Sequence, residues 1–415
     1  MKFSDFGKHF SGYSSITHLM DDLNEGLSQE NVIMLGGGNP ASIAEVTVII
    51  NKTLRRLMER GEIARSLANY DGPQGNDAFI DTLVQFFNEQ YGWNISRQNI
   101  ALTNGSQSSF FTLFNSFAGT AGRIKRKILL PIVPEYIGYN DLGVEDNIIT
   151  SQQPKISLLE NQLFKYEIDF EHLEVDETTG MICVSRPTNP SGNVLSDAEC
   201  QHLDEIARSS DVPLLVDNAY GTPFPNIIFR DVQPFWNDNT IVCMTLSKLG
   251  LPGARTGIVI ANVDIIKQFS NMTAITSLAP GSIGPVVVNQ MMRDKVLLPM
   301  CDQVIRPFYQ QRCNYALQLL IDEVADQRLH IHKPEGALFL WLWFEGLGIT
   351  TAELYQRLKQ KGLLIVPGEY FFPGQEDAGE HGKSCIRMNY VQSEQDMKKG
   401  IEILANELRV CWESR

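Results

Sequence analysis

The chain has 415 residues, 43% of them apolar and 20% charged, with a formal net charge of −14. That is the composition of a globular protein with room for about two domains, and its acidic balance argues against nucleic acid or an anionic membrane surface as partner. The seven cysteines are scattered without CxxC spacing, so neither a disulfide framework nor a metal site is expected. The first ten residues lack a signal-like apolar region, and no apolar run approaches the ~18 residues of a membrane helix, so a cytoplasmic protein is expected.

Residues 1–30 read as an irregular arm with a helical piece around Ile16 to Leu27. A short strand, Val32 to Leu35, runs into Gly36-Gly37-Gly38-Asn39-Pro40. Three consecutive glycines suit either a flexible hinge or the close approach of a ligand to the backbone. An amphipathic helix over Ala44 to Gly61 precedes the turn-rich loop Asn69 to Gly75, which carries Tyr70. Asn76 is placed to cap a helix over Asp77 to Tyr91.

From about residue 98 to 262 the pattern is strand, loop, helix, repeated, the signature of an α/β domain with a mostly parallel sheet. In such sheets the loops at the carboxyl ends of the strands line the ligand site. The strand Ile100 to Thr103 leads into Gly105-Ser106-Gln107 before an apolar helix expected from Phe110, an arrangement that favours an anion at a helix N-terminus. The strand Lys127 to Ile132 leads to Tyr136 and Tyr139, which can stack on a flat ring or pack in the core. Met181 to Ser185 leads to Asn189, held between prolines. Ser196 and Glu199 form a capping box for the next helix. Pro213 to Val216 ends in Asp217 and, three residues on, Tyr220. A carboxylate there needs a partner: a cationic ring nitrogen, an arginine or a helix N-terminus.

The apolar run Thr240 to Met244 then opens into Thr245-Leu246-Ser247-Lys248, a Gly/Pro-punctuated loop and Arg255. Lysine at the mouth of a strand can condense with an aldehyde. Thr245, Ser247 and the planar fork of Arg255 can hold a phosphate. After a long helix over Leu297 to Leu320, the chain changes style into a smaller α/β unit with a partly antiparallel sheet, including a strand around Arg387.

The order of these motifs resembles the class I and II aminotransferases, fold type I enzymes of pyridoxal 5'-phosphate. The resemblance is carried by Leu35 to Ala41, Asn69 to Gly75, Pro134 to Tyr139, Ser185 to Val194, Val216 to Pro225, Lys333 to Phe344 and the lysine loop. It implies a large cofactor domain over residues 45–295 with a mostly parallel seven-stranded sheet, and a small domain from residues 1–44 and 296–415. It implies Lys248 as the residue that carries the cofactor, Asp217 on the ring nitrogen, Tyr220 and Asn189 on the phenolic oxygen, and Tyr136 against the ring. Gly105, Ser106, Gln107, Thr245, Ser247 and Arg255 would hold the phosphate. Tyr70 would reach the phosphate of a neighbouring subunit, making a homodimer with shared sites. Arg387, Asn189 and the backbone of Gly38 would bind the substrate carboxylate. The Lys248–Arg255 spacing of seven is one residue shorter than in many members.

Substrates are expected to be small amino acids and 2-oxo acids, exchanged by a ping-pong mechanism. No second arginine stands in a motif position, and Gly36 to Pro40, Ile137 and Ala337 to Leu340 are small or apolar. Both points favour aliphatic donors such as valine and alanine, with pyruvate or 2-oxoisovalerate as acceptor. The alternative within the fold is another transaminase or a carbon–sulfur β-lyase.

Overall fold

The computed structural model describes residues 2–12, 17, 21 and 32–413. The helical piece expected around Ile16 to Leu27 lies outside them, apart from Thr17 and Asp21. The main sheet is built from short apolar runs buried on both faces, as parallel strands under helices must be. Every residue of Thr179–Ser185, Leu214–Asp217, Thr240–Thr245 and Gly257–Ile260 is buried. Across the sheet the order is Ile100–Thr103, Gly257–Ile260, Thr240–Thr245, Leu214–Asp217, Thr179–Ser185, Ile124–Leu130, with Ile149–Ser151 beside the last. These seven strands match the expected number; the three-residue Gly119–Ala121 joins by an antiparallel hairpin as an eighth.

Only Gly257–Ile260 runs against the other six of these strands. The register pairs Ser185 with Asp217, Asp217 with Cys243, Thr245 with Gly257 and Gly257 with Thr103. Pairing of this kind brings the carboxyl ends of four strands, with the loops that follow them, and the amino end of Gly257–Ile260 to one rim. The helix after Thr103 begins at Ser106, four residues earlier than expected. Gly105, at φ 92° and ψ 155°, turns the chain straight from strand into helix, a conformation that a side chain resists. Serines in the first turn are no obstacle to that start, because they favour helix N-termini.

The second sheet is ordered Val366–Pro367, Cys385–Asn389, Phe339–Phe344, Leu329–His332, Leu163–Glu167, Lys155–Leu158. It is antiparallel except where Leu329–His332 runs alongside Leu163–Glu167. Residues 155–167 lie within the stretch expected to form the large domain, yet their hairpin completes the sheet of the other unit. The N-terminal strand Ile33–Met34 pairs in parallel with Leu363–Leu364, so the glycines that follow cross from the second unit to the rim of the first. The long helix runs from Leu297 to Val324 through a π turn at Cys301–Ile305.

One buried clamp fixes the loop bearing Asn189 to the second sheet. Glu335, 4% exposed, accepts from Lys165 Nζ at 2.5 Å and from the Val194 N–H at 3.3 Å. Lys165 also donates to Asn193 Oδ1 at 2.8 Å. Gly192 sits at φ 68° with the Gly336 carbonyl where a Cβ would be. Glu335→Ala leaves the mostly covered Lys165 with Asn193 as partner but without its carboxylate, which is expected to cost about 2–3 kcal/mol. Urea unfolding of the variant checks this, and a loss below ~1 kcal/mol would show that the clamp is dispensable.

Candidate active site

At the rim of the main sheet the loops enclose a cavity of about 490 Å³. The predicted residues Gly38, Ser106, Gln107, Tyr136, Asn189, Asp217, Tyr220, Thr245, Ser247, Lys248, Arg255 and Arg387 all line it. Gly105 and Tyr70 do not. Gly105 lies just beneath the side chain of Arg255, and Tyr70 stands 88% exposed on the outer surface.

Lys248 follows the strand Thr240–Thr245 in a short 3₁₀ turn, Ser247–Leu249. Its Nζ donates to the Gly38 carbonyl at 2.7 Å and lies 5.4 Å from the centre of the Tyr220 ring. Burial pulls the amine down to about 8; Arg387 pushes the same way, Asp217 opposes, and Arg255 adds a smaller push downward. Removing an ammonium from water while two guanidinium groups face it favours the neutral amine.

Asp217 ends its strand 6% exposed. One carboxylate oxygen accepts from Tyr139 Oη at 2.8 Å, the other from the Ala219 N–H at 3.0 Å. Burial raises its carboxyl to about 6, while those two donors and Lys248 oppose the rise. Tyr139 also stands 3.2 Å from Ser185 Oγ, which lies 2.6 Å from Glu135 Oε2. Glu135 is fully buried and accepts N–H bonds from Ser185 and Tyr136; burial raises it to about 8. Sequence reasoning missed this acid. It stands inside the Pro134–Tyr139 stretch, but nothing in a strand pattern says which way a loop residue turns.

Arg387 comes from the second sheet and is 3% exposed. It donates to Asn189 Oδ1 at 2.8 Å and to the Gly36 carbonyl at 2.7 Å. The rings of Phe339 and Phe371 flank it at 4.1 and 5.0 Å. Burial lowers it to about 10, so it stays cationic at neutral pH. No carboxylate pairs with it among the described residues, and its buried Nε has no partner. Phe339 therefore supports the arginine from behind. Ala337 to Leu340, expected to wall the substrate pocket, are fully buried and do not line it. Met34 and Gln392 line it instead, beside Ile137.

At the other end, Arg255 has φ 44° and folds its guanidinium over Gly105, where a Cβ would meet Nη2 at 2.2 Å. The seven-residue loop thus still delivers the arginine to the N-terminus of the helix Ser106–Phe117. Thr245 Oγ1 donates to Ser247 Oγ at 3.0 Å, so these hydroxyls are already oriented. The Gln107 side chain donates to the Gly138 carbonyl at 2.9 Å and holds the loop that carries Tyr136.

These features fit pyridoxal 5'-phosphate. Arg255, the hydroxyls and the helix N-terminus would take a phosphate. Lys248 suits an aldehyde, and Asp217 is a buried carboxylate with no cation bonded to it, as a protonated ring nitrogen requires. Tyr136 and Tyr220 supply aromatic walls. The charged lining of the cavity is Asp217, Lys248, Arg255 and Arg387. Arg65, a distant candidate for a second carboxylate, does not reach it.

Residues 30–404 match the family model described as aminotransferase class I and II. The chain is 51% identical over 414 residues to valine–pyruvate aminotransferase of Escherichia coli strain K12, covering 99% of each chain. Among solved structures, it is 50% identical to valine-pyruvate aminotransferase from Salmonella typhimurium LT2, covering 97% of this chain and 100% of that one, with a TM-score of 0.90. It is 46% identical to a putative amino-acid aminotransferase from Psychrobacter arcticum 273-4, with full coverage of both chains and a TM-score of 0.97.

The surroundings of Lys248 imply an amine that is half neutral near pH 8 in the cofactor-free protein, against an ordinary lysine value of 10.5. Acylation by an amine-selective reagent, followed lysine by lysine by mass spectrometry, is expected to show Lys248 reacting with a midpoint near pH 8. Exposed lysines are still protonated there. A midpoint with theirs would remove the argument that burial and the two arginines act on this amine.

Proposed function

The chain belongs to the aminotransferase class I and II family, and from that premise we propose that it moves the amino group of a small aliphatic amino acid, valine or alanine, to pyruvate or another small 2-oxo acid. The observation that carries the substrate reading is the charge inventory of the cavity. Arg255 belongs to the phosphate end and Arg387 to the α-carboxylate, and among the described residues no further cation besides Lys248 lines the cavity for a side-chain carboxylate. The names of the relatives support the same reading.

When bound, pyridoxal 5'-phosphate supplies an electron sink conjugated to the amino acid's α-carbon. Lys248 would hold it, with Asp217 at the ring nitrogen, Tyr136 against the ring, Tyr220 and Asn189 at the phenolic oxygen, and Arg255, Ser106, Gln107, Thr245 and Ser247 at the phosphate. The protein's own groups then do the following. The Arg387 fork grips the substrate carboxylate through two parallel N–H donors and so fixes the α-carbon. Asn189 Oδ1 and the Gly36 carbonyl hold that fork in its plane. Asp217, ionised, favours the protonated ring nitrogen. Lys248 Nζ, disposed to neutrality by its burial and by Arg387, would accept the α-proton and return it on the other side of the transfer. Walls of Tyr136, Ile137 and Tyr220 would limit water around that proton. Donor and acceptor use one site, so the first 2-oxo acid leaves before the second enters, in ping-pong order.

The working unit in this reading is a homodimer. Tyr70 is 88% exposed on a loop held to the sheet edge, and Ile275 and Leu278 are likewise exposed at 86% and 68%. Such residues suit a covering subunit, whose phosphate Tyr70 would reach. Seven unpaired, buried cysteines support a cytoplasmic setting. Among the described residues no helix is long and apolar enough to cross a membrane.

Borohydride reduction of the loaded enzyme, then peptide mapping, is expected to find the cofactor on Lys248, and Lys248→Ala to fold but not turn over. A label on any other lysine ends the assignment. For substrates, kcat/KM for valine with pyruvate is expected to exceed that for glutamate or aspartate by at least about a hundredfold, since a desolvated, unpaired side-chain carboxylate costs ~3 kcal/mol or more. Faster turnover of glutamate or aspartate would refute the pocket reading and leave the transaminase reading in place.

A further inference from the structure

We propose that Glu135 and Asp217 share a single proton along Ser185 and Tyr139, and that Glu135 carries it in the working enzyme, as a neutral acid that positions Asp217 in its ionised form. The geometry is a line of oxygens. Glu135 Oε2 lies 2.6 Å from Ser185 Oγ, Ser185 Oγ lies 3.2 Å from Tyr139 Oη, and Tyr139 Oη lies 2.8 Å from Asp217 Oδ2. The two outer contacts hold one proton each, and the middle one, at 3.2 Å, becomes a hydrogen bond only when a third is supplied. Ser185 and Tyr139 bring one hydroxyl proton each, which leaves one contact without a proton if both acids are ionised. In that case two lone pairs would face each other inside a buried site. One further proton completes the line, and it belongs on a terminal carboxyl. With the proton on Glu135, the donors run Glu135 to Ser185 to Tyr139 to Asp217, and Asp217 is the anion. With the proton on Asp217, all three bonds reverse.

The surroundings decide between the two. Glu135 is fully buried, and among the described residues no cation faces it. Its neighbours are the two backbone N–H donors of Tyr136 and Ser185, with Asp217, Tyr139 and Cys183 from the adjoining strands and loop. Asp217 faces Lys248 across the cavity as well as Tyr139, Ala219 and Cys243. A positive ring nitrogen at Asp217 would add to that preference. Burial raises both acids, Glu135 further than Asp217, which is the order the arrangement needs. Keeping the pair at one negative charge halves the charge that must be buried beside the cofactor's ring. Glu135 also receives the Tyr136 N–H, so the same acid fixes the backbone of the ring-facing tyrosine.

The place of the proton follows from this chain's oxygens alone, whereas its use at a ring nitrogen rests on the proposed function. Infrared spectra of the purified full-length enzyme at pH 7, in H₂O and D₂O, are expected to contain the C=O band of a protonated buried carboxyl that Glu135→Gln abolishes. A parent spectrum without such a band, or a band that survives in Glu135→Gln, overturns the assignment. Activity provides a second readout. Glu135→Ala is expected to slow the valine half-reaction at pH 7 about tenfold or more. Glu135→Gln should recover part of that rate, because its amide N–H replaces the carboxyl proton at Ser185 Oγ, while the same nitrogen can no longer accept from the Tyr136 N–H. A Glu135→Ala rate within about twofold of the parent would show that Glu135 does not position Asp217, against the proposal. The infrared result does not depend on cofactor or substrate, so its failure leaves the aminotransferase reading standing. Failure of the borohydride mapping would in turn leave the shared proton standing.

Discussion

Asp217 is a carboxylate buried at the end of a strand and held by a phenol and one backbone N–H. Much of the site can be derived from what that charge demands. A lone carboxylate in a water-poor cavity is costly unless something positive faces it. Lys248 is close enough to respond but is itself discouraged from being charged by burial, Arg387 and Arg255. The protein thus holds one anion that wants a cation, one amine kept near neutrality, and one arginine without a carboxylate, all aimed into the same space. Such fixed, unpaired groups need little rearrangement when a ligand of matching charges enters. Folding bears the desolvation of these groups in advance, through the strands and clamps that surround them.

The clamps come largely from the second unit. Arg387 lies on its strand Cys385–Asn389, next to the edge strand Val366–Pro367, stacked between Phe339 and Phe371. The Asn189 loop is tied to it by Glu335 and Lys165. The segment Ile33 to Gly38 is zipped to it by the pairing with Leu363–Leu364, by the Leu35 carbonyl accepting from the Asn389 N–H at 2.6 Å, and by Asn389 Nδ2 donating to Gly37. The end proposed for the substrate carboxylate is therefore fixed to the second sheet, whereas the end proposed for the phosphate, from Gly105 to Arg255, is built on the first.

Most of the site was legible in the sequence because it consists of loop residues placed directly after buried strands. Strand ends are marked by where an apolar run stops, and parallel pairing brings those ends together whatever the register. Asp217, Asn189, Lys248 and Arg255 could be read in this way, and Arg387 through the family resemblance. What lay beyond reach depended on side-chain direction or on pairing between distant segments. Glu135 sits one residue before the ring-facing Tyr136 and turns the opposite way, into the protein. Phe339 and its neighbours read as apolar pocket wall, yet strand alternation places Phe339 under Arg387. The hairpin Lys155–Leu158 with Leu163–Glu167 carries mixed polar residues, since its outer strand is half exposed at a sheet edge, and it gave no apolar signal. The helix start at Ser106 was misplaced because its first turn is polar, which is what a turn facing an anion requires.

The edge strand Ile100–Thr103 serves two directions at once. Its carboxyl end runs into Gly105 and Ser106 beneath Arg255. Along its flank, the Leu102 N–H donates to the Gln74 carbonyl at 2.8 Å, and Gln74 Nε2 donates to the Ile100 carbonyl at 2.6 Å. Gly75, at φ 104°, lies so close that a Cβ would meet the Leu102 side chain at 2.6 Å. The loop presenting Tyr70 is thereby riveted to the strand that shapes the phosphate end of its own subunit. In the homodimer proposed above, each such strand would sit between two sites, framing one and presenting Tyr70 to the other. A displacement of a single strand would then be felt at both sites together.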